Sequence, residues 1–144
     1  MIKTATIEHL TVVTNLAIDL WPNHSFDDLE KDMRKMLLNK SALTALYFCK
    51  DKPIAFAQCQ LRNDYVEGTE SSPVGYLEGI YVQKYFRHKG IAKELLQYCE
   101  KWAKENSCIE FASDCEIDNI ESLKFHLKVG FTEANRIICF NKRL

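Results

Sequence analysis

From Val74 to Val82 the chain is strand-sized and apolar except for Glu78. A loop carrying Lys84, Arg87, His88 and Lys89 follows. From Gly90 to Asn106 comes an amphipathic helix with Ile91, Leu95, Leu96, Cys99, Trp102 and Ala103 on one side. A strand that feeds an amphipathic helix through a short loop belongs to a layered α/β architecture, because the faces of the strand and the stripe of the helix both need covering.

The rest of the pattern fits the same picture. Residues 1–7 read as a short strand. Leu10, Val13, Leu16, Ala17 and Leu20 have helical spacing, and Trp21-Pro22-Asn23 ends that helix because proline cannot extend it. Ser25 suits a cap for a second helix reaching about Leu38, with Asp27 and Asp28 in its first turn. Leu43 to Cys49 and Ile54 to Leu61, joined by Lys50-Asp51-Lys52-Pro53, read as a hairpin. A polar loop covers Arg62 to Pro73. Ile109 to Ala112 reads as a strand, Asn119 to Val129 as a helix ended by Gly130, and Phe131 to Phe140 as a closing strand or hairpin. The order β-α-α-β-β-β-α-β-α-β, with hairpin and helix-linked strands together, predicts a single α/β domain over residues 1–144 around one mixed sheet.

Charge narrows the function. The chain has 19 basic and 20 acidic residues and a net charge of −1, without the basic excess that nucleic-acid binding favours. Its apolar runs are strand-sized, so no membrane span is expected, and the N-terminus lacks the apolar core of a signal peptide. A cytoplasmic location follows as an expectation. The cysteines at 49, 59, 99, 108, 115 and 139 form no CxxC pair and no metal-ligand cluster with His9, His24, His88 and His126. They read as reduced core residues, and no metal is expected.

The loop Arg87-x-x-Gly90-x-Ala92 carries the clearest chemistry. Glycine where a loop becomes a helix permits unusual dihedrals and close approach of a ligand. The first amides of the helix have no intrahelical partner and, with the helix dipole, suit a phosphate or pyrophosphate. Arg87, His88 and Lys89 add positive charge. The loop is neither GxxxxGK[ST] nor GxGxxG, which disfavours a P-loop and a dinucleotide fold. Asn119-x-x-Ser122-x-x-Phe125-His126-x-x-Val129-Gly130-Phe131 follows as a second, adjacent element.

With these two motifs in this order, the chain resembles the GCN5-related N-acetyltransferase (GNAT) superfamily over nearly its whole length. The resemblance implies a mixed, mostly antiparallel central sheet flanked by helices, with a splay between the fourth and fifth strands. It implies acetyl-CoA as co-substrate. Ile80, Tyr81 and Val82 would line the pantetheine arm, Arg87, His88, Lys89, Gly90, Ile91 and Ala92 would hold the pyrophosphate, and Asn119 would touch the cofactor. Leu20-Trp21-Pro22, Asp64-Tyr65-Val66-x-Gly68, Ser71-Ser72-Pro73-Val74, Leu77-Glu78-Gly79-Ile80-Tyr81-Val82 and Phe111-Ala112-Ser113-Asp114 are similar, more narrowly, to the short aminoglycoside 6′-N-acetyltransferases. That likeness implies a cationic amine substrate, antibiotic resistance as a role, and a homodimer that pairs strands near Ile137, Ile138 and Phe140. It also implies a pocket of Trp21, His24, Tyr65, Glu78, Asp114 and Asn135. Asn135 departs from the acidic residue of the family pattern.

The physical chemistry of that pocket is consistent. Several ammonium groups and sugar faces need carboxylates and aromatic rings. A carboxylate inside an apolar strand is costly unless paired. For Glu78 the partner is either a substrate ammonium or an internal cation. In direct transfer the amine attacks the thioester, Glu78 or Asp114 takes its proton, and an amide near Ile80 holds the oxyanion. Many relatives use a tyrosine to protonate the thiolate. Here His126 stands in the matching slot, with Tyr81 as the other choice. A polyamine, amino-sugar or protein acetyltransferase, or an acyl-CoA sensor without catalysis, has the same outline.

Overall fold

A computed structural model describes residues 1–144. Its sheet has five strands in sequential order: β1 (Ile2–Thr4), β2 (Ala42–Cys49), β3 (Lys52–Arg62), β4 (Val74–Val82) and β5 (Phe111–Ser113). Neighbours are antiparallel except β4 and β5, which are parallel because a helix joins them. The helices are α1 (Leu10–Leu20), α2 (Phe26–Leu38), α3 (Ile91–Glu105) and α4 (Ile120–Lys128). This is the mixed, mostly antiparallel sheet flanked by helices that the resemblance implied.

Local chemistry sets the helix ends. Ser25 Oγ accepts from the Asp28 amide at 3.1 Å and starts α2, as its sequence suggested. Thr14 is buried in α1 at no loss, since its hydroxyl donates to the Leu10 carbonyl at 2.7 Å.

Alternation along the strands divides the core in two. On one face Leu43, Ala45, Ala55, Ala57, Cys59 and Leu77 pack under Ile91, Leu95, Leu96 and Cys99 of α3. On the other, Leu46 and Phe56 pack under α1 and α2 through Val13, Leu16, Leu29 and Met33. All six cysteines are free thiols, with Cys59, Cys99 and Cys108 buried. No helix is long and apolar enough to cross a membrane.

Two expectations are corrected. The fifth strand is Phe111–Ser113 rather than Ile109–Ala112, because pairing begins where Phe111 meets Gly75; Ile109 lies outside the ladder and is exposed. Residues 131–140 form no strand or hairpin. Phe131 packs on Phe111 of β5, but residues 132–140 make no backbone bond to that edge: the Arg136 amide bonds the Asn135 side chain, Asn135 bonds Glu67, and Ile137, Ile138 and Phe140 stand in solvent, Phe140 at 89% exposure.

Candidate active site

At the start of α3 the site is made of backbone. Gly90 precedes the helix with φ +82°, the left-handed region. A Cβ there would meet nothing within 4 Å, so the dihedral, not crowding, calls for glycine. No side chain caps α3, and its first intrahelical bond runs from the Glu94 amide to the Gly90 carbonyl at 3.0 Å. The amides before Glu94 are left for another acceptor. Arg87 Nε donates to the Val82 carbonyl at 2.9 Å and ties the loop to the end of β4. Arg87, His88, Lys89 and Gly90 are exposed, and His88 is also left-handed, at φ +60°. Ile91 is buried and Ala92 half-buried at the top of the α3 core. Asn119 caps α4, its Oδ1 accepting from the Ser122 amide at 3.1 Å.

Next to this start, the sheet forks. β4 and β5 pair only from Gly75–Phe111 to Leu77–Ser113, while β4 continues to Val82 bonded to β3 alone. Every other amide and carbonyl of residues 78–82 therefore points away from β3 into the fork. Ile80 and Val82 pack toward α3, and Tyr81 packs toward α1. Burial, then the nearby Asp19 carboxylate, pushes the Tyr81 phenol above its ordinary value. At the vertex, Ser113 Oγ lies 2.8 Å from His126 Nε2, and His126 Nδ1 donates to the Ser122 carbonyl at 2.7 Å. Both ring nitrogens are thus engaged, and His126 packs between Phe125 and Phe131.

The far half of the site is made of side chains. Leu77 pairs with Cys59 and Gly79 with Gln58, which leaves Glu78 as the extra residue of a bulge in β4. A bulge re-aims side chains. It puts Glu78 and Gly79 on the same face, toward α1. Glu78 is not waiting for a cation: Arg62 Nη2 lies 2.8 Å from its Oε1 and 3.0 Å from its Oε2. Arg62 Nε at 3.1 Å and Gln60 Nε2 at 2.6 Å also donate to Oε1. The internal ion pair, one of two partners the sequence allowed, is the one present. The Arg62 guanidinium lies 3.4 Å from the centre of the Tyr76 ring, and the Tyr76 hydroxyl donates to Asp114 Oδ2. Burial, then the bond to Asp114, pushes the Tyr76 phenol well above the usual tyrosine range. Glu78 and Asp114 are thus joined through Arg62 and Tyr76.

Trp21 lies against the same face. A Cβ on Gly79 would sit 2.7 and 2.9 Å from its indole, and its ring meets Phe56 edge-on at 6.3 Å. Tyr65, 78% exposed, lines an open depression of about 470 Å³ with Gln60, Arg62 and Asp64. Asn135 bonds Glu67 at 3.0 Å, two residues from Tyr65, so the C-terminal segment reaches this loop. His24 is exposed in the turn after α1, its amide 3.2 Å from the Trp21 carbonyl. No group of three His, Cys, Asp or Glu side chains is placed to hold a metal ion.

Gln60, Arg62 and Tyr76 escaped the sequence reading. The available signal was Gln58, Gln60 and Arg62 at alternate positions of an otherwise apolar strand, one polar stripe on a buried face. Gln58 proves to be structural, donating to Thr44 Oγ1 at 3.0 Å, while the next two reach Glu78.

Comparison with known proteins agrees with this geometry. The profile of the acetyltransferase (GNAT) family matches residues 10–131. Aminoglycoside N(6′)-acetyltransferase type 1 of Acinetobacter haemolyticus is 39% identical over 143 residues, covering 99% of this chain and 98% of its own. The protein of the same name from Serratia marcescens is 37% identical, covering 100% and 99%. A solved structure of AAC(6′)-Iy in complex with the bisubstrate analog CoA-S-monomethyl-acetylneamine superposes with a TM-score of 0.95 at 35% identity, covering 100% of this chain and 98% of that one.

Proposed function

The chain belongs to the acetyltransferase (GNAT) family, and from that premise we propose that residues 1–144 form one domain that transfers the acetyl group of acetyl-CoA to the 6′-amine of an aminoglycoside. One observation carries the reading: a single strand, β4, presents the bulged carboxylate Glu78 beside the fork and leads directly to the free amides of α3. The full-length likeness to enzymes named for this activity supports it.

The α3 amides, with Arg87, His88 and Lys89, take the pyrophosphate. The open edge of Ile80, Tyr81 and Val82 takes the pantetheine arm and aims the thioester into the fork. Asn119, whose amide nitrogen is not needed for capping, faces the same cofactor. Trp21 and Tyr65 cover sugar faces, Glu78 and Asp114 hold ammonium groups, and His24 and Asn135 lie at the rim. The ammonium gives its proton to Glu78 or Asp114, directly or through water, and the neutral amine attacks the thioester carbon. A C–N bond forms, the oxyanion rests on an amide near Ile80, the nitrogen gives a second proton to water, and the C–S bond breaks to release thiolate. His126 bonds the Ser113 hydroxyl at the vertex of the fork, which gives a route by which a proton from His126 passes to the thiolate through Ser113.

Mass spectrometry of kanamycin incubated with enzyme and acetyl-CoA tests the reading. We expect one acetyl group gained with wild type and far slower gain with Glu78→Gln and Asp114→Asn. An enzyme that binds CoA but prefers spermidine or peptides would reassign the substrate.

The protein is further proposed to be a cytoplasmic homodimer. Acetyl-CoA and reduced thiols share that compartment, and a second copy would cover Ile137, Ile138 and Phe140. Light scattering should give twice the 16.7 kDa chain mass; a monomeric mass rejects the dimer.

A further inference from the structure

A site for polycations that already contains a cation poses a physical question. Arg62 spends two nitrogens on Glu78, and with Gln60 it fills Oε1 with three donors. Only Oε2, with one donor at 3.0 Å, keeps acceptor capacity. A substrate ammonium that approached this carboxylate while Arg62 stayed bidentate would meet a neutralised partner and a like charge beside it. Arg62 nevertheless has somewhere to go. Its side chain is 39% exposed against 23% for Glu78, and it lines the open depression next to Asp64 and Tyr65.

We propose that Arg62 is the resident cation of the ammonium subsite and a specificity-determining residue of the enzyme: the substrate's reacting ammonium binds by displacing the Arg62 guanidinium from Glu78. The inference rests on the aminoglycoside reading above and adds a regulator to it. Binding becomes an exchange of one cation for another rather than capture by a bare carboxylate. Affinity for the ammonium is lower than an unpaired Glu78 would give, and that reduction serves catalysis. A carboxylate that grips the ammonium makes it harder to deprotonate. Arg62 competes for the same oxygens, so when the ammonium gives its proton to water, the guanidinium returns to Glu78 and the neutral amine is left free to attack. Neutral hydroxyl groups gain nothing from the exchange, because they do not replace the charge.

The test compares neomycin with paromomycin, which carry an amine and a hydroxyl at the 6′ position. Their Kd values are measured by calorimetry on wild type, Arg62→Met and Arg62→Lys. Methionine keeps an unbranched stem over Tyr76 without the charge. We expect Arg62→Met to bind neomycin roughly fivefold more tightly, the scale of a partly exposed ion pair. Paromomycin should change little, and Arg62→Lys, which keeps the charge without the bidentate, stacked geometry, should fall between wild type and Arg62→Met. The kcat of Arg62→Met for neomycin should fall at neutral pH while KM falls too, and the acidic limb of its pH profile should move to higher pH. Weaker binding of both drugs by Arg62→Met, in equal proportion, would overturn the exchange and make Arg62 a buttress for Glu78. CoA affinity, measured alongside, shows whether each variant is folded. If Arg62→Met loses it, Arg62→Lys decides alone: with its weaker hold on Glu78 the proposal requires a ratio of neomycin to paromomycin affinity above that of wild type, and a lower ratio overturns it. Wild type that binds CoA but neither drug would overturn the aminoglycoside reading itself, and the exchange with it.

Discussion

The start of α3 and the bulge of β4 lie at opposite ends of one short run of chain, yet they are built from different material. From Arg87 to Ala92 the central functional groups are amides, flanked by exposed basic side chains and held by a left-handed glycine and by one arginine bond to the Val82 carbonyl. Around Glu78 they are side chains from β3, β4 and the residue after β5, already bonded to one another. A backbone site presents its donors whether or not the ligand is there, so its cost is local geometry. A side-chain site has to satisfy its buried charges before the ligand arrives, so it carries its own counter-ions. The first kind tolerates changes in side chains; the second is sensitive to the loss of any one member.

The largest effect should come from breaking the second kind. Glu78→Gln keeps the shape, but the Arg62 cation is left facing the incoming ammonium without a carboxylate between them. We expect kcat/KM for kanamycin to fall on the order of 100-fold, the scale of losing a charge-assisted pair and leaving a charge unpaired. CoA affinity should stay unchanged by calorimetry. A parallel loss of CoA binding would mean that the two ends are not separate. The converse change is Gly90→Val. A β-branched residue at φ +82° costs about 1–2 kcal/mol, so CoA affinity should weaken roughly tenfold. Drug affinity, measured without CoA, should hold.

The same contrast governs what the sequence reveals. The α3 start is contiguous in sequence: Arg87, Gly90 and Ala92 stand together, and the amphipathic stripe after them announces the helix. The carboxylate network is legible only in part. Glu78 is conspicuous inside an apolar strand. Its partners are 16 and 18 residues away on β3, and Tyr76 meets Asp114 across 38 residues. Those pairings depend on strand register and on a bulge, neither of which composition or periodicity encodes. The C-terminal segment failed for a different reason. Phe131 to Phe140 has the residues of a strand, but a strand exists only through backbone bonds to a neighbour, and residues 132–140 make none although the outer edge of β5 is open.

A smaller effect should appear where the network meets α1. Trp21 rests on Gly79 so closely that Gly79→Ala has to push the indole aside, and β4 itself is held by β3. Overpacking of this kind perturbs one side chain more than the fold. KM for kanamycin should rise about threefold, with kcat and CoA affinity near wild type. A fall in CoA affinity instead would mean that the added methyl shifts β4 rather than Trp21.

Tyr76→Phe sharpens the comparison most finely, because it removes one hydroxyl and leaves the ring under Arg62. The phenol is buried and donates to Asp114, and both burial and that bond hold its pKa above the unfolded value. Below about pH 10, where tyrosine is protonated in the unfolded chain as well, the bond contributes fully, and its loss should cost about 1 kcal/mol. Above that pH the unfolded chain gives up the proton while the folded chain keeps it, so unfolding releases a proton and wild-type stability falls as pH rises. Phenylalanine has no such proton. The stability gap between wild type and variant, read from urea midpoints, should therefore be constant from pH 7 to 9 and shrink from pH 10 upward. A gap that stays as wide at pH 11 as at pH 7 would show that Tyr76 is not held protonated by Asp114, and would cut the link that joins the two carboxylates.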